Sequence, residues 1–555
     1  MKLLSLLKEL SLHPKNTEEL KGLILQLAVE GKLTANWRQE NPNISTQVDK
    51  LASAFKMTSE ELSEHSLSII ELDIPKSWIK AKFSVVFDMK GGSQPPKSNF
   101  IDNPKEGYVQ LYQIRDFGKK PQPVYVPVES VSKLCTTEDI MIGRYGASIG
   151  KVFYGKEGAY NVALVKLIWD NNILLQDFVY QMFSARIIQE FFQNCTRSAQ
   201  AGFNKTDMGK LNITLPPLEE QKAIVEVVNT LFKEVEALEE LTKERISLKE
   251  DFVTSALRRL TETDNTTHEW NYLQQQFSSF FTEKKNIKSL RETILQIAVK
   301  GKLTSKWREE NPSVENASEL LKRIESEKQQ LIAEKKIRRE KAFPNIEDDE
   351  KEFNLPNSWI WCRFQQIFDI RDGTHDSPKD SSETNSYPLI TSKNFKEGNI
   401  DFDSARRISE ADYLKVIYRS KVHTGDILFS MIGGNIGNQV EVGDYTEFAI
   451  KNVALFKHYN SDTIAKGFLS VFSKFIAMSL QSHAAGGAQP FVSLKFFRNL
   501  VLGLPPKEEQ QAIVGKVNSL MALCDELEQE VDNSQTQVEQ LMQSCLKEVF
   551  EEESN

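Results

Sequence analysis

The chain contains the same two segments twice. Residues 20–42 read LKGLILQLAVEGKLTANWRQENP and residues 290–312 read LRETILQIAVKGKLTSKWREENP, with fifteen of these 23 positions identical. A second pair, LPPLEEQKAIVEVVN from Leu215 and LPPKEEQQAIVGKVN from Leu504, repeats in the same way. The copies lie roughly 270–290 residues apart, far beyond the ~20–50-residue period of a solenoid. The sequence therefore predicts a duplicated half-molecule whose function needs two related surfaces.

Length and composition favour a soluble protein of three or four domains. The chain has 555 residues, of which 40% are hydrophobic and 26% charged, and a chain this long exceeds a single core. No apolar run approaches the ~18–20 residues of a membrane span, and the first residues lack the long apolar stretch of a signal peptide. Five scattered cysteines without a CxxC pair predict a cytoplasmic protein without disulfides, structural zinc or membrane association.

The net charge of −9 is unevenly distributed. Residues 76–214 carry 18 basic against 12 acidic side chains, a net of +6, and residues 357–503 carry 16 against 15, a net of +1. The rest of the chain therefore carries −16. Because the acidic residues lie mostly outside these two blocks, the global charge leaves room for a face that contacts phosphates.

The repeated segments are predicted to be helical. In the first copy, apolar residues recur at the spacing of one helical face, and Gly31 and Gly301 lie where a glycine ends a helix. The apolar positions are Leu20, Leu23, Ile24, Leu27 and Ala28 in one copy and Leu290, Ile294, Ile297 and Ala298 in the other. We call residues 20–42 and 290–312 the two GKLT segments.

Between the repeated segments lie two β-rich blocks. Each begins with a Pro-x-Ser-Trp-Ile sequence, at residues 75–79 and 356–360. Short runs such as GYVQLYQI, PVYVPV, KVFYG and VALVKLIW alternate or are β-branched between Gly, Pro and Asp, which predicts short strands joined by turns. Residues 175–192 form a predicted helical patch.

A long helix follows each Leu-Pro-Pro sequence, since proline suits the first turn of a helix. Apolar residues then recur every three or four positions over several heptads, which indicates two helices paired as a coiled coil. The alternative is two ordinary amphipathic core helices. About 40–45 residues would make a rod of about 60–65 Å. The seam positions are Ile224, Val228, Leu231, Val235, Leu238 and Leu241 in one helix, and Ile513, Val517, Leu520, Leu523, Leu527, Val531, Val538, Leu541 and Cys545 in the other.

A further charged helix is predicted over residues 313–341. Its many Lys, Arg and Glu residues and few apolar ones favour a solvated helix, with a subunit-docking surface as the alternative.

No motif of catalysis or nucleotide binding is complete. The run Gly143–Val152 differs from a P-loop, because only three residues separate Gly146 from Gly150 and Val152 replaces the Ser or Thr that binds Mg²⁺. The run Gly433–Gly437 lacks dinucleotide-binding spacing. The chain has no NPPY or DPPY methyltransferase sequence and no His/Cys cluster. The sequence therefore predicts a non-catalytic protein.

These features together resemble the specificity subunit of a type I restriction–modification enzyme, over essentially the whole chain. ILQLAVEGKLT and ILQIAVKGKLT resemble the EcoAI-like (type IB) sub-family. Residues 145–151, YGASIGK, resemble the YGxTIGK motif of the family's target-recognition domains. Residues 161–164 and 452–455, both NVAL, occupy the place of its N-Q-A strand. The second copy of the YGxTIGK motif, at residues 431–438, lacks both the Tyr and the Lys.

The resemblance implies an α+β fold with two β-rich α/β target-recognition domains, two long antiparallel coiled-coil helices and a pseudo-twofold internal repeat. The implied domains are an N-terminal helical region (1–74), recognition domain 1 (75–214), a central long helix and linker (215–285), a repeated helical region (286–355), recognition domain 2 (356–503) and a C-terminal long helix (504–555).

The resemblance also implies the function. Such a subunit binds double-stranded DNA at a bipartite, asymmetric site, each domain reading one half-site, and positions two adenine-N6 methyltransferase subunits. Two ATP-dependent restriction subunits join in the full complex. Because methylation and cleavage would occur on the partners, S-adenosylmethionine, ATP and Mg²⁺ are expected there and not on this chain. Two readers on one DNA face lie about 34 Å apart, one helical turn, which a rod of about 60 Å could enforce.

Candidate DNA-contacting residues lie in loops beside the motif strands, where side chains would reach base edges and phosphates. The Trp37-Arg38 and Trp307-Arg308 pairs are predicted to pack within the scaffold instead. The candidates are Gln94, Lys97, Arg115, Arg144, Ser148, Lys151, Gln200 and Asn204 in domain 1, and Thr374, His375, Lys393, Asn394, Asn435, Asn438 and Gln489 in domain 2.

Three other functions compete with this interpretation. A stand-alone bipartite DNA-binding regulator would bind its site without partners. A protein adaptor would show no salt-dependent DNA binding. A nuclease would cleave DNA alone with Mg²⁺, and the missing motifs disfavour it.

Overall fold

The structure is a computed structural model that describes residues 17–47, 51, 53, 55, 74–195, 202–263, 266–339, 343–460, 462–484 and 491–551. It divides into two compact units, unit 1 with residues 1–246 and 536–555 and unit 2 with residues 247–535. Each unit holds one GKLT segment and one β-rich domain. Within the described part, no helix is long and apolar enough to cross a membrane.

The GKLT segment of unit 1 forms two helices, α1 (Thr17–Val29) and α2 (Ala35–Glu40). The predicted apolar face of α1 is buried at Leu20, Ile24 and Leu27. Between the helices, Gly31 has a φ of 73°. A Cβ there would lie 2.6 Å from Cγ of Pro75, closer than carbon atoms can approach. The glycine thus lets the start of domain 1 rest on the end of the helix.

Domain 1 (residues 75–214) is built on two four-stranded sheets, ordered β2-β9-β6-β7 and β4-β3-β8-β5. Strands β1 and β10 pair separately and antiparallel, so the chain enters and leaves the domain at one place. The strands are β1 (Ile79–Lys82), β2 (Asp88–Gly91), β3 (Tyr108–Tyr112), β4 (Tyr125–Pro127), β5 (Leu134–Cys135), β6 (Ile140–Gly143), β7 (Val152–Tyr154), β8 (Gly158–Tyr160), β9 (Leu164–Ile168) and β10 (Asn212–Leu215). The four strand runs named from the sequence are confirmed.

The described residues of the domain also form four α-helices, α3 (Phe83–Val86), α4 (Gln176–Ser184), α5 (Arg186–Cys195) and α6 (Lys205–Met208). The single predicted patch over residues 175–192 is therefore two helices. Ala185 between them has extended backbone dihedral angles, which ends the first helix.

The first long helix, α7, spans Leu218–Glu262. Its first seam positions, from Ile224 to Val235, are buried in the same hydrophobic core as the apolar face of α1. Lys21 of α1 also pairs with Glu236 at 2.8 Å. The predicted seam is wrong at Leu241, whose surface is 62% exposed. The N-terminal part of α7 is thus an amphipathic core helix of unit 1. This is the alternative that the sequence left open to a coiled coil.

Unit 2 continues with five helices, α8 (Thr266–Gln274), α9 (Phe277–Phe280), α10 (Lys284–Val299), α11 (Ser305–Glu310) and α12 (Ala317–Ala333). The prediction of a solvated helix over residues 313–341 is wrong. In α12, Leu320, Leu321 and Ile324 are buried in the unit 2 core. These apolar residues form a stripe along one face of α12, between charged residues, and this stripe packs against the unit 2 core.

Domain 2 (residues 356–503) repeats the plan of domain 1 with one sheet divided further. Its sheets are ordered β12-β20-β17-β18 and β16-β13-β19, with β14-β15 and β11-β21 as separate pairs. The strands are β11 (Ile360–Arg363), β12 (Phe368–Asp372), β13 (Ser386–Ile390), β14 (Phe395–Lys396), β15 (Asn399–Ile400), β16 (Arg406–Ser409), β17 (Ile427–Ser430), β18 (Gln439–Glu441), β19 (Ala449–Ile450), β20 (Val453–His458) and β21 (Val501–Leu504). The helices are α13 (Phe364–Ile367), α14 (Glu410–Ser420), α15 (Phe468–Ala484) and α16 (Leu494–Asn499), and the second long helix α17 follows (Lys507–Glu551).

Inside unit 2 the end of α7 runs alongside α10 in the same direction. Lys285 pairs with Glu250 at 2.6 Å, and just past the ends of both helices Lys302 donates to the Thr263 carbonyl at 2.9 Å. Val253, Leu257 and Leu260 of α7 are buried in the unit 2 core.

Helix α17 runs in the opposite direction to α10. Lys284 pairs with Asp532 at 2.7 Å, whereas Lys516, earlier in α17, donates to the Leu303 carbonyl at 3.1 Å. The seam residues Leu527 and Val531 belong to the same core as Leu257. Within unit 2 the two long helices are therefore antiparallel, as predicted, with α10 packed against both. The side chains of Leu541 and Cys545 lie outside the described part.

A buried glutamate joins each GKLT segment to its Leu-Pro-Pro helix. In unit 1, Glu220 accepts hydrogen bonds from Thr34 Oγ1 at 2.7 Å and from Arg38 Nη1 at 2.5 Å. In unit 2, Glu509 accepts from Thr304 at 2.6 Å and from Arg308 at 2.5 Å. Both carboxylates are completely buried. The prediction that the two Trp-Arg pairs belong to the scaffold is confirmed for the arginines.

The glutamine after each glutamate holds the adjoining domain. Gln221 donates to the Ile173 carbonyl at 2.9 Å and accepts from the Leu175 amide at 2.9 Å, just before α4. Gln510 accepts from the Ala465 amide at 2.9 Å, just before α15. Trp359 of the second Pro-x-Ser-Trp-Ile sequence also donates to Glu509 at 2.8 Å. The Glu-Gln pair thus connects helices and domain through one buried network.

We predict that Glu509→Gln destabilises unit 2 by about 3 kcal/mol, because it leaves the Arg308 guanidinium without its buried carboxylate. Urea unfolding of the full chain would measure this. The matched control is Glu508→Gln, which changes the adjacent exposed residue and should cost less than about 1 kcal/mol. Equal costs for the two variants would contradict the assignment.

Candidate nucleic-acid interface

In domain 1, loops from four parts of the chain meet at one end of the β2-β9-β6-β7 sheet. Ser93 after β2 bridges to Asn161. The Arg144 amide after β6 donates to the Ala163 carbonyl at 2.8 Å, and Tyr145 bridges to Gly202. We call residues 92–94, 144–151, 161–163 and 202–204 loop edge 1. The fold therefore gathers segments that are distant in sequence, which suits recognition by several short loops.

Arg144 is the best-oriented cation of loop edge 1. Its Nε donates to the Phe203 carbonyl at 3.0 Å, and its guanidinium lies 5.0 Å from the ring centroid of Tyr145. The side chain is half-buried. A guanidinium held through Nε keeps its two terminal nitrogens as a fork, the geometry that suits O6 and N7 of guanine.

The other candidates of domain 1 differ in the exposure of their side chains. Gln94, Lys97, Arg115 and Lys151 are exposed, and Ser148 is half-buried. Arg115 follows β3, where the Tyr112 carbonyl accepts from the Asn161 amide at 3.0 Å, so it lies beside loop edge 1. Gln200 lies outside the described residues.

Asn204 has a structural role that the sequence analysis did not predict. Its side-chain oxygen accepts from the amides of Thr206 at 2.8 Å and Asp207 at 3.0 Å, and so caps α6. Next to it, the Lys205 ammonium lies 2.5 Å from Asp88. Its hydrogen bond lowers the pKa of that carboxyl, so the two charges neutralise each other at the sheet edge.

Domain 2 gathers the matching loops at the matching sheet end. Thr374 donates its amide to the Ile450 carbonyl at 2.9 Å, and the Val492 amide donates to the Met431 carbonyl at 2.9 Å. Ile432 bridges to Phe491. We call residues 373–375, 431–438, 451–452 and 491–492 loop edge 2. Asn435 and Asn438 are exposed there.

His375 is held by two side chains, one from loop edge 2 and one from the neighbouring strand β12. Its Nδ1 lies 3.2 Å from Asn452 Oδ1 and its Nε2 lies 2.9 Å from Asp372 Oδ2. Arg419 at the end of α14 also contacts Asp372. Thr374 is half-buried with its backbone paired, and its hydroxyl accepts from the Asp376 amide at 3.1 Å. The imidazole is therefore held in place at an exposed position.

Two adjacent candidates of domain 2 differ in the exposure of their side chains. Lys393 is exposed, whereas Asn394 is buried. The Asn394 side-chain oxygen accepts from the Thr391 amide at 2.9 Å and from the Thr391 hydroxyl at 3.1 Å. Asn394 is therefore engaged in a turn, and its contact with DNA stays a prediction. Gln489 lies outside the described part.

The sequence analysis missed the apolar residues at the two loop edges. Tyr145, Ile432 and Phe491 are 43%, 42% and 50% exposed. The sequence contains a signal for two of these residues, because Tyr145 and Ile432 occupy the same position in the two copies of the YGxTIGK motif. The residues predicted to contact DNA all have polar or charged side chains.

A buried charge cluster lies at the opposite end of the domain 2 sheet. The Lys457 ammonium contacts Asp426 and lies 3.0 Å from His423 Nδ1. Burial raises the pKa of Asp426 and lowers those of Lys457 and His423. Domain 1 has Lys166 and Asp139 at this place, 3.1 Å apart. The pair therefore recurs in both domains at the sheet end opposite the loop edges. Among the residues described, no group of three or more metal-ligating side chains occurs.

The family model described as "Type I restriction modification DNA specificity domain" matches residues 75–248 and 356–536, which together exceed half of the chain. The chain belongs to this specificity-subunit family. As a type I specificity subunit, it is the DNA-recognition component of its enzyme and not a catalytic one.

Named relatives agree with this assignment. The specificity subunit of the type I restriction enzyme EcoEI of Escherichia coli is 26% identical over 93% of this chain and 91% of its own length. The EcoAI specificity subunit, also from Escherichia coli, is 29% identical over 57% of this chain. The chain spans about half, 54%, of that relative. These two relatives support the predicted EcoAI-like (type IB) branch.

A solved structure shares the fold of this specificity subunit. It comes from work described as "Structural basis underlying complex assembly and conformational transition of the type I R-M system". The TM-score is 0.50 at 16% sequence identity, over 85% of this chain and 97% of that chain. The predicted α+β class with two β-rich domains and long helices is confirmed.

We predict unequal costs for two glycine substitutions in loop edge 1. Gly150 has a φ of 77°, and an added Cβ would lie 2.7 Å from the Phe192 side chain. Gly150→Ala should therefore cost about 3 kcal/mol from backbone strain and overpacking together. Gly146, with a φ of 65° and open space around it, should cost only about 1 kcal/mol as Gly146→Ala. Urea unfolding checks both, and equal costs would contradict the packing of this loop on α5.

Proposed function

We propose that this specificity subunit binds a bipartite, asymmetric site in double-stranded DNA, with loop edge 1 reading one half-site and loop edge 2 the other. It positions two adenine-N6 methyltransferase subunits, and two ATP-dependent restriction subunits join in the full complex. S-adenosylmethionine, ATP and Mg²⁺ bind to those partner subunits and not to this chain. The observation that carries the proposal is a repeated scaffold that holds two chemically different loop edges.

The difference between the loop edges supports an asymmetric site. At matching positions, Arg144 and Lys151 of domain 1 correspond to Met431 and Asn438 of domain 2. A guanidinium recognises guanine through two acceptors, whereas an amide suits adenine. Two unlike edges therefore favour two unlike half-sites.

The sameness of the scaffold supports two copies of one partner. The contacts of Glu220 with Thr34 and Arg38 recur as those of Glu509 with Thr304 and Arg308. Beside them, α2 and α11 expose side chains in the same pattern along the helix. A protein that binds one of these surfaces can bind the other in the same way.

A domain exchange tests the bipartite reading. The subunit is expressed together with the methyltransferase subunit of its system, and methylated adenines are mapped in the DNA. We expect one motif with two unlike halves. Replacing residues 357–503 by those of a relative should change one half only, because the β11-β21 pair keeps the domain ends in place. Absence of a complex, or a change in both halves, would refute the proposal.

Two substitutions in loop edge 1 separate base contacts from phosphate contacts. Arg144→Ala should weaken binding by about 1–3 kcal/mol and relax specificity at one base pair. Lys151→Ala should weaken binding to every sequence alike and reduce the slope of log K against log salt by about 0.9. Binding of the methyltransferase complex to matched and mismatched duplexes across a salt series measures both. Unchanged specificity in the Arg144 variant would contradict its role.

A further inference from the structure

Loop edge 2 presents an apolar pair to its surroundings. Ile432 and Phe491 form an antiparallel bridge, tied by the bond from the Val492 amide to the Met431 carbonyl at 2.9 Å. Their side chains are 42% and 50% exposed. Exposing two large apolar residues side by side has a cost in water, which suggests that something covers them when the protein acts.

The residues around the pair are those of a recognition surface. Gly433 and Gly434 follow Ile432 directly, and a Cβ on either would meet nothing within 4 Å, so a ligand can approach the backbone closely. Asn435 and Asn438 are exposed on the same loop and offer hydrogen-bonding groups. The pair is therefore a small apolar surface next to polar side chains.

Loop edge 1 has different chemistry at the same bridge. There Tyr145 pairs with Gly202, and a Cβ on Gly202 would lie 2.6 Å from the Tyr145 ring. Because Gly202 has no side chain, the Tyr145 ring has room there, and its centroid lies 5.0 Å from the Arg144 guanidinium. In domain 2 the residue matching Arg144 is Met431, which is buried. The bridge thus supports a cation in one domain and an apolar contact in the other.

We propose that Ile432 and Phe491 contact the 5-methyl group of a thymine in the half-site bound by domain 2. This rests on the proposed function, since it requires that loop edge 2 faces the major groove. In that groove the thymine methyl is the one apolar group among the edges of the four unmodified bases. An apolar pair without a neighbouring cation at the Arg144 position selects this group rather than the acceptors of guanine.

The test removes the methyl group alone. Once the recognised motif is mapped, each thymine of the domain 2 half-site is replaced in turn by deoxyuridine. Binding of the methyltransferase complex to each duplex is then compared with binding to the unmodified one. We expect one position at which deoxyuridine weakens binding about 3- to 10-fold, the effect of losing one buried methyl contact. If no position weakens binding, the proposal is refuted.

Variants assign the effect to the pair. In Ile432→Ala and Phe491→Ala, separately and together, the ratio of thymine to deoxyuridine affinity at that position should fall towards one. The control is Tyr445→Ala, which removes a side chain of 46% exposure from the loop between β18 and β19, at the other end of the sheet. It should leave the ratio unchanged. Full discrimination in the double variant would refute the proposal.

The outcomes separate this inference from the function on which it rests. If the complex binds no sequence specifically, the proposed function fails as well. If it binds its motif but ignores the thymine methyl at every position, only the role of Ile432 and Phe491 fails. Because the deoxyuridine comparison uses the unmodified protein, it stays decisive even if a variant does not fold.

Discussion

The buried glutamate at the start of each long helix is the interaction on which the rest of the structure depends. A carboxylate removed from water is tolerated only when it is paired and hydrogen-bonded, and Glu220 and Glu509 meet this requirement with a threonine and an arginine of the GKLT segment. The next residue, glutamine, holds the domain. One turn of helix therefore fixes three parts of each unit at once, which explains why the sequence around it is kept in both copies.

Much of the fold could be predicted from the sequence, because repetition and periodicity are local signals. The two scaffold copies, the β-rich blocks and the long helices followed from them. The errors have a common physical cause. Leu241 and α12 were judged by pattern alone, yet burial depends on which neighbour lies opposite. The seam of α7 packs in its own core only as far as Leu238, whereas Leu320 and Ile324 of α12 are buried in a core that the charged sequence around them does not indicate.

The residues predicted to contact DNA differ in what their side chains do in the structure. Arg144 and Lys151 stand out because they flank a glycine-rich turn. Asn204 and Asn394 looked equivalent to them, yet an asparagine serves a turn or a helix cap as readily as it serves a ligand, and the structure assigns both to such roles. The apolar contribution of Tyr145, Ile432 and Phe491 depends on a backbone bridge between distant segments, which sequence spacing does not show.

The strand pairs at which the chain enters and leaves each domain have a consequence for recombination between genes. Ile79 faces Leu215 in β1-β10 just as Ile360 faces Leu504 in β11-β21, so both domains begin and end at the same kind of junction. Because these junctions match, a gene fragment that encodes one domain can be exchanged for another through crossovers in the repeated segments. The two positions are even interchangeable in principle. Under the proposed function, such an exchange changes one half-site as a unit, without mutation of single loop residues.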